Sequence, residues 1–510
     1  MLKYPIGLQD FRAIREGGYI YVDKTAYIYD LMNSGKYYFL SRPRRFGKSL
    51  LLSTIKEIYS GSKELFEGLW IAEYWDWAIF HPVVHIKFAK SDYQSRGLGQ
   101  AIIGELHQAA AEMGVVLTNN TVKECFEELL RLTFIKHGKV VLLIDEYDKP
   151  IVDYLDDLEK ANENRSILKQ FYSIVKDSDP YIAFMLLTGV SKFSKVSIFS
   201  DLNHLQDLTI GGHYNSLLGI TQSELIENFG ERIKALSVTT PHLTDQIKDW
   251  YNGYNWGGKD TLYNPFSLLS YLQSGEFNNY WFETGTPTFL VKLIREEGKY
   301  ELDEDAYVSL LSLANFDIEA MEFQTILFQT GYLTISELNF TEGWCKLHYP
   351  NKEVKVAFQQ MLMAAYQHRT TGAALPLVLQ MRSALEANDI SKVVIIINTV
   401  FAAIPYDLWQ KSTELHYHAL VHLTFNLLGN YLKSEVHSAL GRCDAIVETK
   451  THVYAFEFKL DQSAQTALQQ ISDKNYLGPF GVDQRVLVAV GISFSSEKRA
   501  IDHFLVSQAQ

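Results

Sequence analysis

Apolar residues along the first 210 positions recur at two alternating spacings. Short continuous runs at Tyr37–Ser41, Val83–Phe88, Val140–Ile144 and Tyr181–Thr188 predict strands buried on both faces. Between them, helical spacing covers Ser49–Tyr59, Leu98–Met113, Thr121–His137 and Arg165–Lys176. Strands separated by helices predict a parallel α/β sheet. From Gly211 to Tyr366 the buried runs disappear and helical spacing dominates, at Thr221–Phe229, Asp245–Tyr251, Phe266–Gln273, Phe289–Glu297 and Leu302–Leu313. A helix, a turn at Gly331 and two short strands across Gln324–Leu347 suit either a winged-helix-like unit or an ordinary helix and hairpin.

Beyond Ala374 the pattern predicts helices at Leu377–Ala387, Ser391–Ala402 and Thr413–Leu428, then strands at Tyr431–His437, Cys443–Glu448 and Val453–Phe458. A helix over Ala464–Lys474, a strand over Arg485–Val490 and a helix over Glu497–Val506 complete it. The expected domains are 1–210, 211–373 and 374–510: an α/β parallel-sheet domain, a mostly helical middle and a second α/β domain.

Composition narrows this little. The 510 residues are 47% hydrophobic and 21% charged, which excludes a disordered or low-complexity chain. A net charge of −13 gives no general attraction to nucleic acid, so any such surface is local. Cys125, Cys345 and Cys443 are scattered and odd in number, which argues against a disulfide framework or a structural zinc site. The first residues show no apolar signal-peptide core. The longest apolar run, Val393–Pro405, is broken by Asn398 and is too short for a membrane span. A soluble cytoplasmic protein with no membrane partner is expected.

The sharpest local signal is YFLSRPRRFGKSLLL at Tyr38–Leu52, a strand running through a loop into a helix. Such a helix start offers free N–H groups to a phosphate. Lys48 would reach the β- and γ-phosphates of a nucleotide, Ser49 would hold Mg²⁺, and Gly47 would let the backbone approach closely. Pro43, Arg44, Arg45 and Phe46 complete the cradle, with Arg44 and Arg45 as arginine-finger candidates. The usual first glycine of a P-loop is replaced by Arg42. Lys36–Lys56 holds six basic residues and no acid, a local anion site on an acidic chain. The strand Val140–Ile144 ends in Asp145 and Glu146, the Walker B pattern, in which Asp145 binds Mg²⁺ and Glu146 orients the attacking water. The next strand ends at Thr188, a candidate γ-phosphate sensor, with Ser191 and Lys192 as alternates.

A second cluster lies near the C-terminal end. Asp444 shares a strand face with Ile446, and Glu457 shares one with Lys459. Paired strands would bring the two carboxylates together, where a divalent ion relieves their repulsion. Such an ion activates water, and Lys459 would position that water or neutralise developing charge. Asp444…Glu457-x-Lys459 is the PD-(D/E)XK pattern. Glu414, with Glu435 as its competitor, is a candidate third carboxylate. Gln470 and Lys474 share a helix face and are accessory candidates.

The segments Gly18–Thr25, Leu40–Ser49, Leu143–Pro150, Thr188–Ser194, Trp250–Tyr254 and Tyr263–Pro265 resemble the bacterial AAA-ATPase-like family. Gly441, Arg442, Asp444, Glu457 and Lys459 resemble the PD-(D/E)XK nuclease-superfamily domain often fused to it. The resemblance covers essentially the whole chain, and arginine at position 42 is the norm in that family. It implies a P-loop ATPase fold akin to archaeal-type ATPases, with ATP and Mg²⁺ as cofactors and a nuclease-like tail. The expectation is an ATP-hydrolysing module coupled to a Mg²⁺-dependent nuclease acting on DNA or RNA, as an oligomer or with a partner protein. The alternative is a nucleotide-dependent switch or scaffold whose tail binds a partner without cutting.

Overall fold

The structure is a computed structural model and describes residues 3–192, 204–238, 240–282, 307–314, 322–367, 374–402, 424, 444–481 and 484–509. The chain divides into two compact units, one holding the described residues up to Val354 and the other those from Lys355 on.

The first unit is built on β1 (Tyr37–Ser41), β2 (Val83–Lys87), β3 (Val140–Asp145), β4 (Ile182–Gly189) and β5 (Gln206–Asp207). They form an all-parallel sheet in the order β2-β3-β4-β1-β5. Every residue of β1 and β3 is buried, which is why these strands read as unbroken apolar runs. Alternate residues divide between the faces. Tyr38, Leu40, Val141, Leu143, Phe184 and Leu186 form one core with Leu51, Leu52, Ile55 and Ile58 of the helix α1 (Lys48–Tyr59). The helices α2 (Leu98–Glu112), α3 (Val122–His137) and α4 (Leu158–Asp177) pack on one another, and α3 also packs against β3.

After β5, α5 (Gln222–Ser237), α6 (Leu243–Tyr251) and α7 (Pro265–Ser274) share a core of Leu225, Phe229, Ile247, Tyr251, Leu268 and Leu272. Their ends are set locally. Thr221 and Glu224 form a reciprocal capping box, and Asn264 caps the helix that begins at Pro265. The helix α8 (Phe323–Thr330) stops at Gly331, φ +92°, and precedes a hairpin of β7 (Thr334–Asn339) and β8 (Trp344–His348). A third antiparallel strand, β6 (Tyr307–Ser309), flanks β8.

In the second unit, β9 (Ala445–Glu448), β10 (His452–Leu460), β11 (Val486–Ser495) and β12 (Ala500–Ala509) form a mixed sheet in the order β12-β11-β10-β9. The helix α9 (Ala464–Asp473) lies on the face carrying Val453, Ala455 and Ala489. The helix over Ala374–Glu386 reaches the other face, where the Tyr454 hydroxyl donates to the Leu385 carbonyl at 2.8 Å.

Two expected helices are corrected. The described end of Leu302–Leu313 begins as β6, because Tyr307 pairs with Lys346 of β8 and its ring meets Trp344 edge-on. Glu497–Val506 falls largely in β12. Ile501, Phe504 and Leu505 have helical spacing, but antiparallel pairing with β11 along its length overrides it. The expected helices Phe289–Glu297 and Thr413–Leu428 and the strand Tyr431–His437 lie outside the described residues, apart from Thr424.

The Asn252–Gly253 turn shows how tightly the first unit closes. Gly253 sits at φ +121°, and a Cβ there would lie 1.7 Å from the Pro350 carbonyl oxygen. Gly253→Ala is therefore expected to cost on the order of 2 kcal/mol or more. Thermal denaturation checks this, and a midpoint equal to that of the parent chain would contradict it.

Candidate functional site

In the first unit the site stands at the ends of β1, β4 and β3. Register puts Leu40 beside Thr188 and Ser41 beside Gly189. Backbone turns at Arg45 (φ +67°) and Gly47 (φ +93°) then lead the chain into the helix that starts at Lys48. Arg42, which replaces the usual first glycine, is absent from the left-handed positions, so no glycine is needed there. Its guanidinium is buried, lies 4.2 Å over the Trp256 ring, and donates through Nη1 to the carbonyls of Ser41 and Thr209. Burial pulls its pKa down to about 9, with Asp207 opposing.

Lys48 is buried, and its ammonium donates to the carbonyls of Arg42 (2.8 Å) and Pro43 (2.9 Å). Burial pulls its pKa down, while Asp145, Glu146 and Asp148 pull it back up. Ser49 is half-buried one residue on. The Thr188 hydroxyl donates to Asp145 Oδ1 at 2.7 Å, joining the end of β4 to the end of β3. Glu146 is held at φ +52° and is partly exposed. Phe46 is buried edge-on against Tyr254 and Trp256. Arg44 and Arg45 are exposed, the latter with its guanidinium 4.9 Å from the Phe266 ring centre. Of the sensor alternates, Lys192 pairs its ammonium with Asp207, and the Ser191 N–H donates to Asp148.

Asp148 is a residue that sequence reasoning missed. It is buried, accepts the N–H groups of Val190 and Ser191, and crowds Gly189 so closely that a Cβ there would meet Asp148 Oδ1 at 2.6 Å. The carboxylate thus fixes the loop after β4 against the turn after β3. Its sequence signals are an acid among Tyr147, Pro150 and Ile151 and a place in the Leu143–Pro150 segment, neither of which assigns it a role.

In the second unit, β9 and β10 are antiparallel with Ala445 opposite Phe456, which sets Asp444 next to Glu457. Asp444 Oδ2 accepts the Phe458 N–H at 2.8 Å. Glu457 pairs in register with Gly491 of β11, where α9 comes so close that a Cβ would lie 2.4 Å from the Ala464 carbonyl. That approach places Gln470 over Glu457, and its amide donates to Oε1. Lys459 Nζ donates to the same oxygen at 2.9 Å. Glu457 is 2% exposed and its Oε2 has no partner among the described residues. Burial, and then Asp444, push its pKa up against Lys459. Lys474 is exposed just past the end of α9; its backbone N–H donates to the Gln470 carbonyl at 3.0 Å, but among the described residues no hydrogen bond or ion pair joins its ammonium to this cluster. Glu414, Glu435 and Gly441–Cys443 lie outside the described residues. Among the described residues no group of three or more His, Cys, Asp or Glu stands ready for a metal. Two adjacent carboxylates with one buried, unpartnered oxygen nevertheless fit a hard divalent ion that keeps some of its water.

Asp148 makes the first site's pH behaviour testable. Burial raises its pKa to about 6 from an ordinary 3.8. Between those values the folded chain holds more protons than the unfolded one, so this group's contribution to stability falls as pH rises from about 4 to about 6. Asp148→Asn is expected to remove that slope while keeping an oxygen for Val190 and Ser191. Denaturation midpoints between pH 4 and 7 check it, and parallel profiles for the two chains would contradict it.

Comparison with known proteins agrees with this division. The family model described as predicted AAA-ATPase matches residues 5–199, and that of the PD-(D/E)XK nuclease superfamily matches residues 412–504. Domains of these kinds generally use a nucleotide and a divalent metal. Among the described residues no helix is long and apolar enough to cross a membrane. An uncharacterized protein in the vnfD 5′ region of Azotobacter chroococcum mcd 1 is 38% identical over 523 residues, covering 99% of this chain and 98% of the relative. The chain belongs to the predicted AAA-ATPase family, in the form that carries a PD-(D/E)XK nuclease-superfamily domain behind the ATPase.

Proposed function

We propose that the chain binds and hydrolyses ATP at the Lys48 loop and couples this to Mg²⁺-dependent cleavage of nucleic-acid phosphodiesters at the Asp444–Glu457 cluster. One observation carries the reading: each unit sets a lysine beside a buried strand carboxylate, Lys48 with Asp145 and Lys459 with Glu457. Such an arrangement suits anionic oxygen handled together with a divalent ion.

In the first site Lys48 exchanges its two loop carbonyls for phosphate oxygens, while the N–H groups at the start of α1 hold the same phosphates. Ser49 and Asp145 would hold Mg²⁺, and Thr188 keeps the Asp145 carboxylate oriented. Glu146 is the base or orienting group for water. Asp148 positions the loop that follows Thr188 and the end of β4. In the second site Asp444 and Glu457 would hold Mg²⁺, which supplies an activated water and charge stabilisation when bound. Gln470 and Lys459 fix the Glu457 carboxylate, and Lys459 neutralises charge developing on the phosphate.

The alternative is a nucleotide-dependent switch whose tail binds a partner without cutting. It draws on charge: residues 433–510 hold eight basic and nine acidic side chains, a poor surface for long nucleic acid.

Lys48→Ala is expected to weaken ATP binding by about a hundredfold or more, read by titration calorimetry, and unchanged affinity would refute the role. Asp444→Ala is expected to abolish plasmid nicking with Mg²⁺ or Mn²⁺ while ATP turnover continues. Undiminished nicking would refute the cutting site, and loss of both activities would refute its separation from the ATPase.

A further inference from the structure

An edge strand presents unpaired N–H and C=O groups to any strand that comes alongside, and folded chains blunt such edges by keeping them short or charged. The other sheet edges among the described residues are blunted in this way. β5, β6 and β9 are two, three and four residues long. β2 carries Lys87 and β7 carries Glu337. β12 differs. It runs ten residues along the edge of the second unit's sheet, and from Phe504 to Gln508 it holds neither a charge nor a proline.

The inner side of β12 is paired with β11, Val506 opposite Val490 and Leu505 opposite Gly491. The outer side is closed near its start. Asn398, on the helix over Ile390–Ala402, donates its amide to the Ile501 carbonyl at 3.2 Å and accepts the Ile501 N–H at 2.7 Å. One side chain thus stands where a neighbouring strand would. From Phe504 to Gln508 no hydrogen bond reaches the outer side among the described residues. Leu505 and Val506 point to opposite faces and are 40% and 44% exposed. A strand laid alongside would therefore bury apolar surface on both faces of the sheet.

We propose that the outer edge of β12 pairs with β12 of a second copy of this chain, antiparallel about a two-fold axis, and joins the two sheets into one. Three observations select a second copy over a strand of another protein. An antiparallel edge is its own complement, because a two-fold copy meets each donor with an acceptor. The facing stretches are uncharged, and Asp502, the nearest acid in sequence, is already paired with Lys498 at 2.7 Å. Two chains of net charge −13 therefore meet where neither repels the other. The same stretch also lacks the charged side chains by which a foreign partner would be told apart. Pairing over so few residues buries less than a tight complex does, so the dimer is weak, with a dissociation constant on the order of 10 µM. The proposal is independent of the nucleotide and metal assignments.

Sedimentation velocity of the full chain from about 1 to about 100 µM tests it, with the mass expected to rise from one chain toward two. Over the same range, backbone hydrogen exchange at Phe504–Gln508 should slow about threefold or more, while that of β10 stays unchanged. Leu505→Lys combined with Val506→Lys sets like charges across the two-fold axis at positions already exposed, and should weaken association about tenfold or more. A parent chain that stays single up to about 100 µM overturns the second copy as the occupant. A dimer whose Phe504–Gln508 exchange does not change with concentration overturns the edge as its interface. So does a double variant that associates as well as the parent. The exchange comparison on the parent chain decides the matter even where the double variant fails to fold.

Discussion

A lysine ammonium taken out of water must be surrounded by oxygen, and the first unit is arranged around that requirement at Lys48. The loop carbonyls of Arg42 and Pro43 satisfy it in the structure, and three carboxylates stand close enough to raise the ammonium's proton affinity. The parallel sheet makes this feasible. It brings the ends of β1, β4 and β3 level, so that a helix start, a threonine and an aspartate share one edge. Arg42 shows the same demand met only in part, by two carbonyls on Nη1 and the face of Trp256, while Nε and Nη2 have no hydrogen-bond partner among the described residues.

The second unit states the problem in reverse, with a carboxylate buried instead of a cation. Glu457 continues a strand face that is otherwise apolar under α9, and Gly491 lets that helix come close enough for Gln470 to reach it. Lys459 and Gln470 both serve Oε1, which leaves Oε2 open beside Asp444. An unmet buried oxygen is costly to keep, and a divalent ion is the partner that would meet it.

Much of this was legible in the chain because the chemistry lies in short local runs attached to strongly periodic elements. Gly47, Lys48 and Ser49 fall at a strand-to-helix junction, and Asp145 follows five buried apolar residues. Glu457 sits in β10 and Asp444 directly precedes β9, strands whose alternation already sorted the faces. Asp148 and the packing of Arg42 were illegible for a common reason: their partners are far away in sequence. Val190 and Ser191 lie 42 and 43 residues from Asp148, and Thr209 lies 167 from Arg42. The misread element Glu497–Val506 failed in the opposite way, since its apolar spacing is helical while its strand state is imposed by β11.

The most direct measurement is a crystal structure of the full chain with Mn²⁺ and a non-hydrolysable ATP analogue. The account predicts that Lys48 Nζ leaves the Arg42 and Pro43 carbonyls for phosphate oxygen, with one anomalous peak at Ser49 and Asp145 and another between Asp444 and Glu457. Lys48 still bound to its loop carbonyls beside a bound analogue, or no metal against Glu457 Oε2, would contradict it.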